Sequence, residues 1–389
     1  MKKGILIVYA ATMPIFGLFA QPLPSREDAF NNPSRHAWNL FLQVNHPALD
    51  PKLGRGIPDP SKKIGTPGTT VVWETWRLSE TEVFLEKGAP PPEDFNDLSL
   101  PGGPTSGKVP EIPKAELLKF LAANPDLPGG NQQLKALELK VRPQFDPVDG
   151  IFQGFGGFGE SRMNKATYDF VYKNHLYSLQ GQQRYAAEYL NGTKPALTFP
   201  VDSIEVKAAW IEFSKDDLIA KKNERFYVAE YAGKIYGLAS LHIITKDSPD
   251  WFWCTFHHKE APIPEPAFGH GVGNGDKVGQ PVDLNGTVWE NYALGGTQTS
   301  FVESTGRPTL LSDALVEKGF VASSCISCHA RATVQMPSTP ALGSNPVVGA
   351  PRALDYFFPD AIDPTKPGKP KLMQTDFLFS LAFRAKSEN

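Results

Sequence analysis

One five-residue motif constrains this chain more than any other feature. Cys325-Ile326-Ser327-Cys328-His329 is a CxxCH sequence. On a helix its two thiols stand on adjacent turns, where each can form a thioether with one vinyl group of the same haem. The imidazole that follows then sits beneath the iron. A zinc site would need four ligands, and no second CxxC pair occurs in the chain. A thioredoxin-like redox pair would follow a strand in a βαβ setting, whereas Ala322-Ser323-Ser324 precedes this one. A disulfide between the two cysteines would leave His329 without a role. With 3 Cys and 8 His in 389 residues, a chance match is improbable. The motif therefore predicts one covalently attached haem c, bound through Cys325 and Cys328. His329 is the expected proximal iron ligand, its other ring nitrogen donating to a backbone carbonyl. Arg331 is the candidate partner of a haem propionate, with a solvated helix charge as the competing reading.

Covalent haem attachment happens outside the cytoplasm, and the N-terminus agrees with export. Lys2 and Lys3 precede an apolar run from Gly4 to Ala20, interrupted by Pro14, with Ala20 at a plausible cleavage point. Residues 1–20 are read as a signal peptide, giving a periplasmic or otherwise exported protein. An uncleaved anchor is the alternative, but the run falls short of the roughly 20 residues a spanning helix needs. No later segment is apolar enough to span a bilayer. The third cysteine, Cys254, reads as a small buried core residue. The net charge of −3, without a basic cluster, gives no indication of nucleic-acid binding.

The remaining 290 or so residues predict an α+β fold. A helical start is suggested by Trp38, Phe41 and Leu42. The stretch from Val71 to Trp76 fits a strand or a short helix equally well. Pro and Gly crowd residues 88–113, which makes a long irregular excursion, and a short helix is expected over 115–123. Helices are predicted over 163–179, with Asn164 as a possible cap, and over 182–190, stopping at Gly192. Residues 226–231, 235–245 and 251–258 are rich in aromatic and β-branched side chains and read as consecutive antiparallel strands. The glycine-rich stretch 269–281 lacks the order of a nucleotide-binding loop. A last helix is expected over 371–385, with Met373, Phe377 and Leu381 on one face. The expected organisation is a signal peptide, an α+β part over 21–309 around a central antiparallel sheet with long Pro/Gly-rich loops, and a helical haem segment over 310–389. The last two could pack as one unit.

The segment from Ala322 to Ala332 resembles the haem-binding helix of c-type cytochromes, and the expected closing helix is similar in position to theirs. That likeness covers only residues 310–389. The rest resembles large, mostly uncharacterised monohaem bacterial proteins of the cytochrome c family. The similar pieces are Val72-Trp73-Glu74-Thr75-Trp76, Glu160-Ser161-Arg162-Met163-Asn164-Lys165-Ala166-Thr167, Ile204-Glu205-Val206-Lys207-Ala208-Ala209-Trp210 and Thr375-Asp376-Phe377. The resemblance implies one exported monohaem protein and says little about a reaction.

The sixth iron ligand separates a carrier from an enzyme. Met373, 44 residues after His329, is one candidate; core packing is the competing role. His258, at the end of an apolar strand face, is the other, against a hydrogen-bonded strand-end histidine. Met336 stands too soon after His329 to reach the far face easily, and His270 lies in the glycine loop. His242 reads as a satisfied core residue. Glu74, Glu160 and Glu205 are scattered carboxylates without an assigned role. The expected function is electron transfer with a redox partner protein. The alternatives are a haem redox enzyme acting on a small-molecule substrate and a haem-based sensor.

Overall fold

The computed structural model describes residues 26–100, 157–231, 234–261, 279–302, 324–330, 332–334 and 373–388, together with 306, 309–311, 313 and 315. The signal peptide, the expected helix over 115–123, His270, Arg331 and Met336 lie outside these residues.

The fold is α+β, built on one seven-stranded antiparallel sheet. Its strands are β1 (Arg77–Leu78), β2 (Gly157–Met163), β3 (Ile204–Glu212), β4 (Val228–Tyr231), β5 (Lys234–Thr245), β6 (Phe252–His258) and β7 (Tyr292–Gln298). The order is β1-β2-β3-β5-β6-β7, with β4 also paired to β5. The three strands expected over 226–258 are present and antiparallel. β5 is long and apolar on both faces, with Leu238, Leu241 and Ile243 fully buried. This is the pattern of a central strand covered on both sides.

Register assigns side chains to the two faces, because paired residues share a face and neighbours alternate. Lys207, His242 and Thr255 form one row, and Glu205, Ile244, Trp253 and Gln298 the next, all on one face. Val206, Ile243 and Cys254 point the other way.

Helices α1 (Arg26–Asn31) and α2 (Pro33–Val44) are the first described elements. α2 lies on the Cys254 face: its Trp38 and Phe41 rings stand 4.9 and 4.4 Å from Phe256, and His36 stands 4.6 Å from Phe252. The stretch 71–76 resolves as a 3-10 turn over Val72–Thr75. Helix α3 (Lys165–Lys173) begins where Asn164 caps it, the side-chain oxygen accepting from the Thr167 amide. Met163, expected inside this helix, instead ends β2. The helix stops early, with His175 at φ +56°. Helix α4 (Leu179–Leu190) is capped by Ser178, and a short α5 (Lys215–Ile219) follows β3.

Among the described residues of the C-terminal region are two short helices, α6 (Cys325–His329) and α7 (Phe379–Arg384). The helix expected over 371–385 is confined to α7. Asp376 and Phe377, at φ +49° and +70°, cannot belong to a right-handed helix. Residues of both elements, Cys325, Ile326 and Leu381, share one hydrophobic cluster with the sheet and α2. Among the described residues no helix is long and apolar enough to cross a membrane.

Candidate functional site

The CxxCH helix sits on the Trp253 face of the sheet, and polar side chains fix its start. Ser324 caps α6 by accepting from the Ser327 amide. Gln298 of β7 grips the same end twice: its Nε2 donates to Ser324 Oγ at 2.7 Å, and its Oε1 accepts from the Ile326 amide at 3.1 Å. Cys325 is buried; its amide and its thiol both donate to the Leu311 carbonyl. Cys328 is half-buried.

His329 ends the helix, and its ring is held from three directions. Trp253 stands 4.6 Å away at an interplanar angle of 63°, and Phe379 stands 4.8 Å away at 58°. Nδ1 lies 2.7 Å from the backbone carbonyl of Phe377. A carbonyl only accepts, so Nδ1 carries the proton and the Nε2 lone pair is left as the donor. Burial pushes the His329 pKa down to about 3, against the opposing effect of the Phe377 hydrogen bond. The ring is therefore neutral at neutral pH, which is the form that binds a metal.

Phe377 is brought there by a short ladder. The Val334 amide donates to Met373 O at 2.9 Å and the Thr375 amide to Ala332 O at 2.8 Å. Gln374 Nε2 adds a bond to Ala330 O. The residues after His329 and those before α7 thus run side by side.

Two thiols on one short helix and a neutral imidazole of fixed tautomer fit a covalently bound haem. Cys325 and Cys328 would hold it, and His329 Nε2 would ligate the iron. Among the described residues no group of three or more His, Cys, Asp or Glu could hold a metal ion by itself.

The two candidates for the sixth ligand fall differently. Met373 reaches the neighbourhood of His329, but as part of the segment that supplies the carbonyl to Nδ1, and it is 1% exposed in the main core. His258 is not brought there. It belongs to the Cys254 face, and both of its ring nitrogens are engaged: Nε2 with Arg225 O at 3.1 Å, and Nδ1 accepting from the Glu260 amide at 3.0 Å. Its ring stacks on Phe226, and burial lowers its pKa to about 4.

His242 differs from its expectation as a satisfied core residue. It is buried beside Trp253, at 5.9 Å between ring centroids, and its Nδ1 has no hydrogen-bond partner among the described residues. Burial lowers its pKa to about 3. The three scattered carboxylates bind different partners. Glu74 accepts from Tyr227 Oη, Glu160 binds Arg162 and Trp210, and Glu205, on the Trp253 face, accepts from Ser380 Oγ at 2.7 Å. Burial raises the Glu205 pKa to about 7.

Sequence reasoning missed Trp253, Gln298 and Phe377 as parts of the site. The first two face α6 by strand alternation, a signal that could be read once the strands were assigned but gave no hint of what they face. Comparison with protein-family models, with curated proteins and with solved structures finds no match.

Proposed function

We propose that this chain is an exported, periplasmic monohaem c-type cytochrome that transfers electrons to or from a redox partner. Cys325 and Cys328 hold the haem covalently and His329 is the proximal ligand. The observation that carries the reading is the 2.7 Å bond from His329 Nδ1 to Phe377 O, which leaves Nε2 as the metal-binding nitrogen at the end of a CxxCH helix. When bound, haem supplies an iron that alternates between ferric and ferrous states. The chain orients the imidazole through Phe377 O, keeps it neutral by burial and packs Trp253 and Phe379 against it. Haem staining of the full chain on a denaturing gel tests this, provided it is expressed with a haem-attachment system. The expected band persists after denaturation.

A second reading is a haem enzyme or sensor with an open sixth position. It is favoured by the placement of the two candidate ligands: His258 is occupied on the other face, and Met373 belongs to the segment on the Nδ1 side. The spectrum of the reduced protein before and after carbon monoxide separates the two. An unchanged low-spin spectrum supports the carrier; rapid binding to a high-spin form supports the enzyme or sensor.

A further inference from the structure

The turn that aims Phe377 O at His329 is strained. Asp376 and Phe377 are consecutive non-glycine residues at φ +49° and +70°. Left-handed backbone of this kind is unfavourable for residues with a Cβ and persists where surrounding contacts over-determine it. Here those contacts converge on the Asp376 side chain, which is buried. Its Oδ1 accepts from Lys246 Nζ at 2.6 Å, and its Oδ2 accepts from the Phe199 amide at 2.8 Å. Lys246 is buried as well and is fixed in turn by a 2.6 Å bond to Pro249 O and by the Trp251 ring, 5.5 Å away. The turn is closed by the Leu378 amide on Thr375 O and by Thr375 Oγ1 on Leu378 O.

A helix through these residues would satisfy the same backbone without a buried ion pair between segments 130 residues apart. The contacts instead hold one carbonyl out of the helix and on the His329 ring. We propose that Asp376, anchored by Lys246 and the Phe199 amide, is the positioning residue for His329: it holds the strained turn whose Phe377 carbonyl accepts the Nδ1 proton. This rests on the haem reading given above. A firm bond at Nδ1 makes Nε2 a stronger donor to the iron and favours the ferric state. Loosening the turn weakens that donation and raises the midpoint potential.

The test compares the full-length haem protein with Asp376→Ala and Asp376→Asn. Asp376→Ala removes both anchors. Asp376→Asn keeps an oxygen for the Phe199 amide and tolerates a positive φ, but loses the ionic partner of Lys246. A tenfold change in the ferric-to-ferrous balance is ~59 mV for one electron. An upward shift of that order is expected for Asp376→Ala, with a smaller one in the same direction for Asp376→Asn. Where the ferrous iron is five-coordinate, its iron–histidine stretch should fall in parallel. A merely structural role would lower the melting temperature and leave the potential and the stretch at parental values. That result, in haem-loaded Asp376→Ala, overturns the proposal; if that variant does not fold, a parental potential in Asp376→Asn does so. Absence of covalent haem from the parent chain would instead defeat the reading on which the proposal rests.

Discussion

The two faces of the sheet are built from different chemistry. On the Cys254 face, α2 and β6 meet through rings: Trp38, Phe41 and Phe256 interlock, and Trp289 stands 5.5 Å from Phe41. On the Trp253 face the covering elements are short, and beside their apolar packing they are tied by directional polar bonds: Gln298 to α6, Glu205 and Ser161 to α7, and a carbonyl to His329. Glu80 also pairs with Arg384 of α7. Aromatic packing stabilises by buried area and tolerates little change of volume. Directional bonds stabilise less on net, but they fix atoms in place. The first face is therefore read as the fold's foundation, and the second as the place where geometry is held for chemistry.

Substitutions on the two faces should accordingly separate stability from haem chemistry. The largest effect is expected from Cys325→Ala with Cys328→Ala, which should abolish covalent haem while the far-ultraviolet dichroism of the sheet persists. Retained haem staining on a denaturing gel would break the assignment. On the opposite face, Phe41→Ala should cost about 3–5 kcal/mol, as large core truncations do, with no change in the haem spectrum of the surviving folded fraction. Denaturant unfolding followed by both signals checks it.

Glu205 gives a pH test of intermediate size. Its folded pKa of about 7 lies above the ordinary value of about 4.3 for an unfolded glutamate. The folded chain therefore holds more protons between these values. The stability contributed is fully present below about pH 4 and is lost as pH rises through 7, a change of a few kcal/mol. Glu205→Gln should remove this part of the slope, so its stability relative to the parent should improve from pH 4 to 8. Parallel pH profiles would show that Glu205 titrates normally. The smallest effect is expected from Met373→Leu, about 1.5 kcal/mol or less for a near-isosteric core change, with the visible spectrum unaltered. A spectral change would identify Met373 as an iron ligand.

Much of the scaffold could be read directly from the sequence, because its signals are local. Aromatic and β-branched runs marked β4 to β6, Asn164 marked the start of α3, and the CxxCH motif marked α6. Where the reading failed, distant residues decide the outcome. Met373, Phe377 and Leu381 have the four-residue spacing of a helix face, yet the Asp376 side chain is drawn to Lys246 and the backbone turns instead. His242 looked like an ordinary strand residue, because an Nδ1 without a partner among the described residues is a property of its surroundings. Trp253 and Phe377 became part of the site only when β6 and the C-terminal segment met around His329. The thiols and the imidazole lie within five residues and are legible together; the carbonyl that orients the imidazole lies 48 residues on.

The most direct test of the central claim is intact-mass spectrometry of the full chain produced with a haem-attachment system, followed by peptide mapping. The expected result is a denatured polypeptide heavier by one haem, with the added mass on the peptide that contains Cys325 and Cys328. A polypeptide of unmodified mass, or a haem mapped elsewhere, would contradict it.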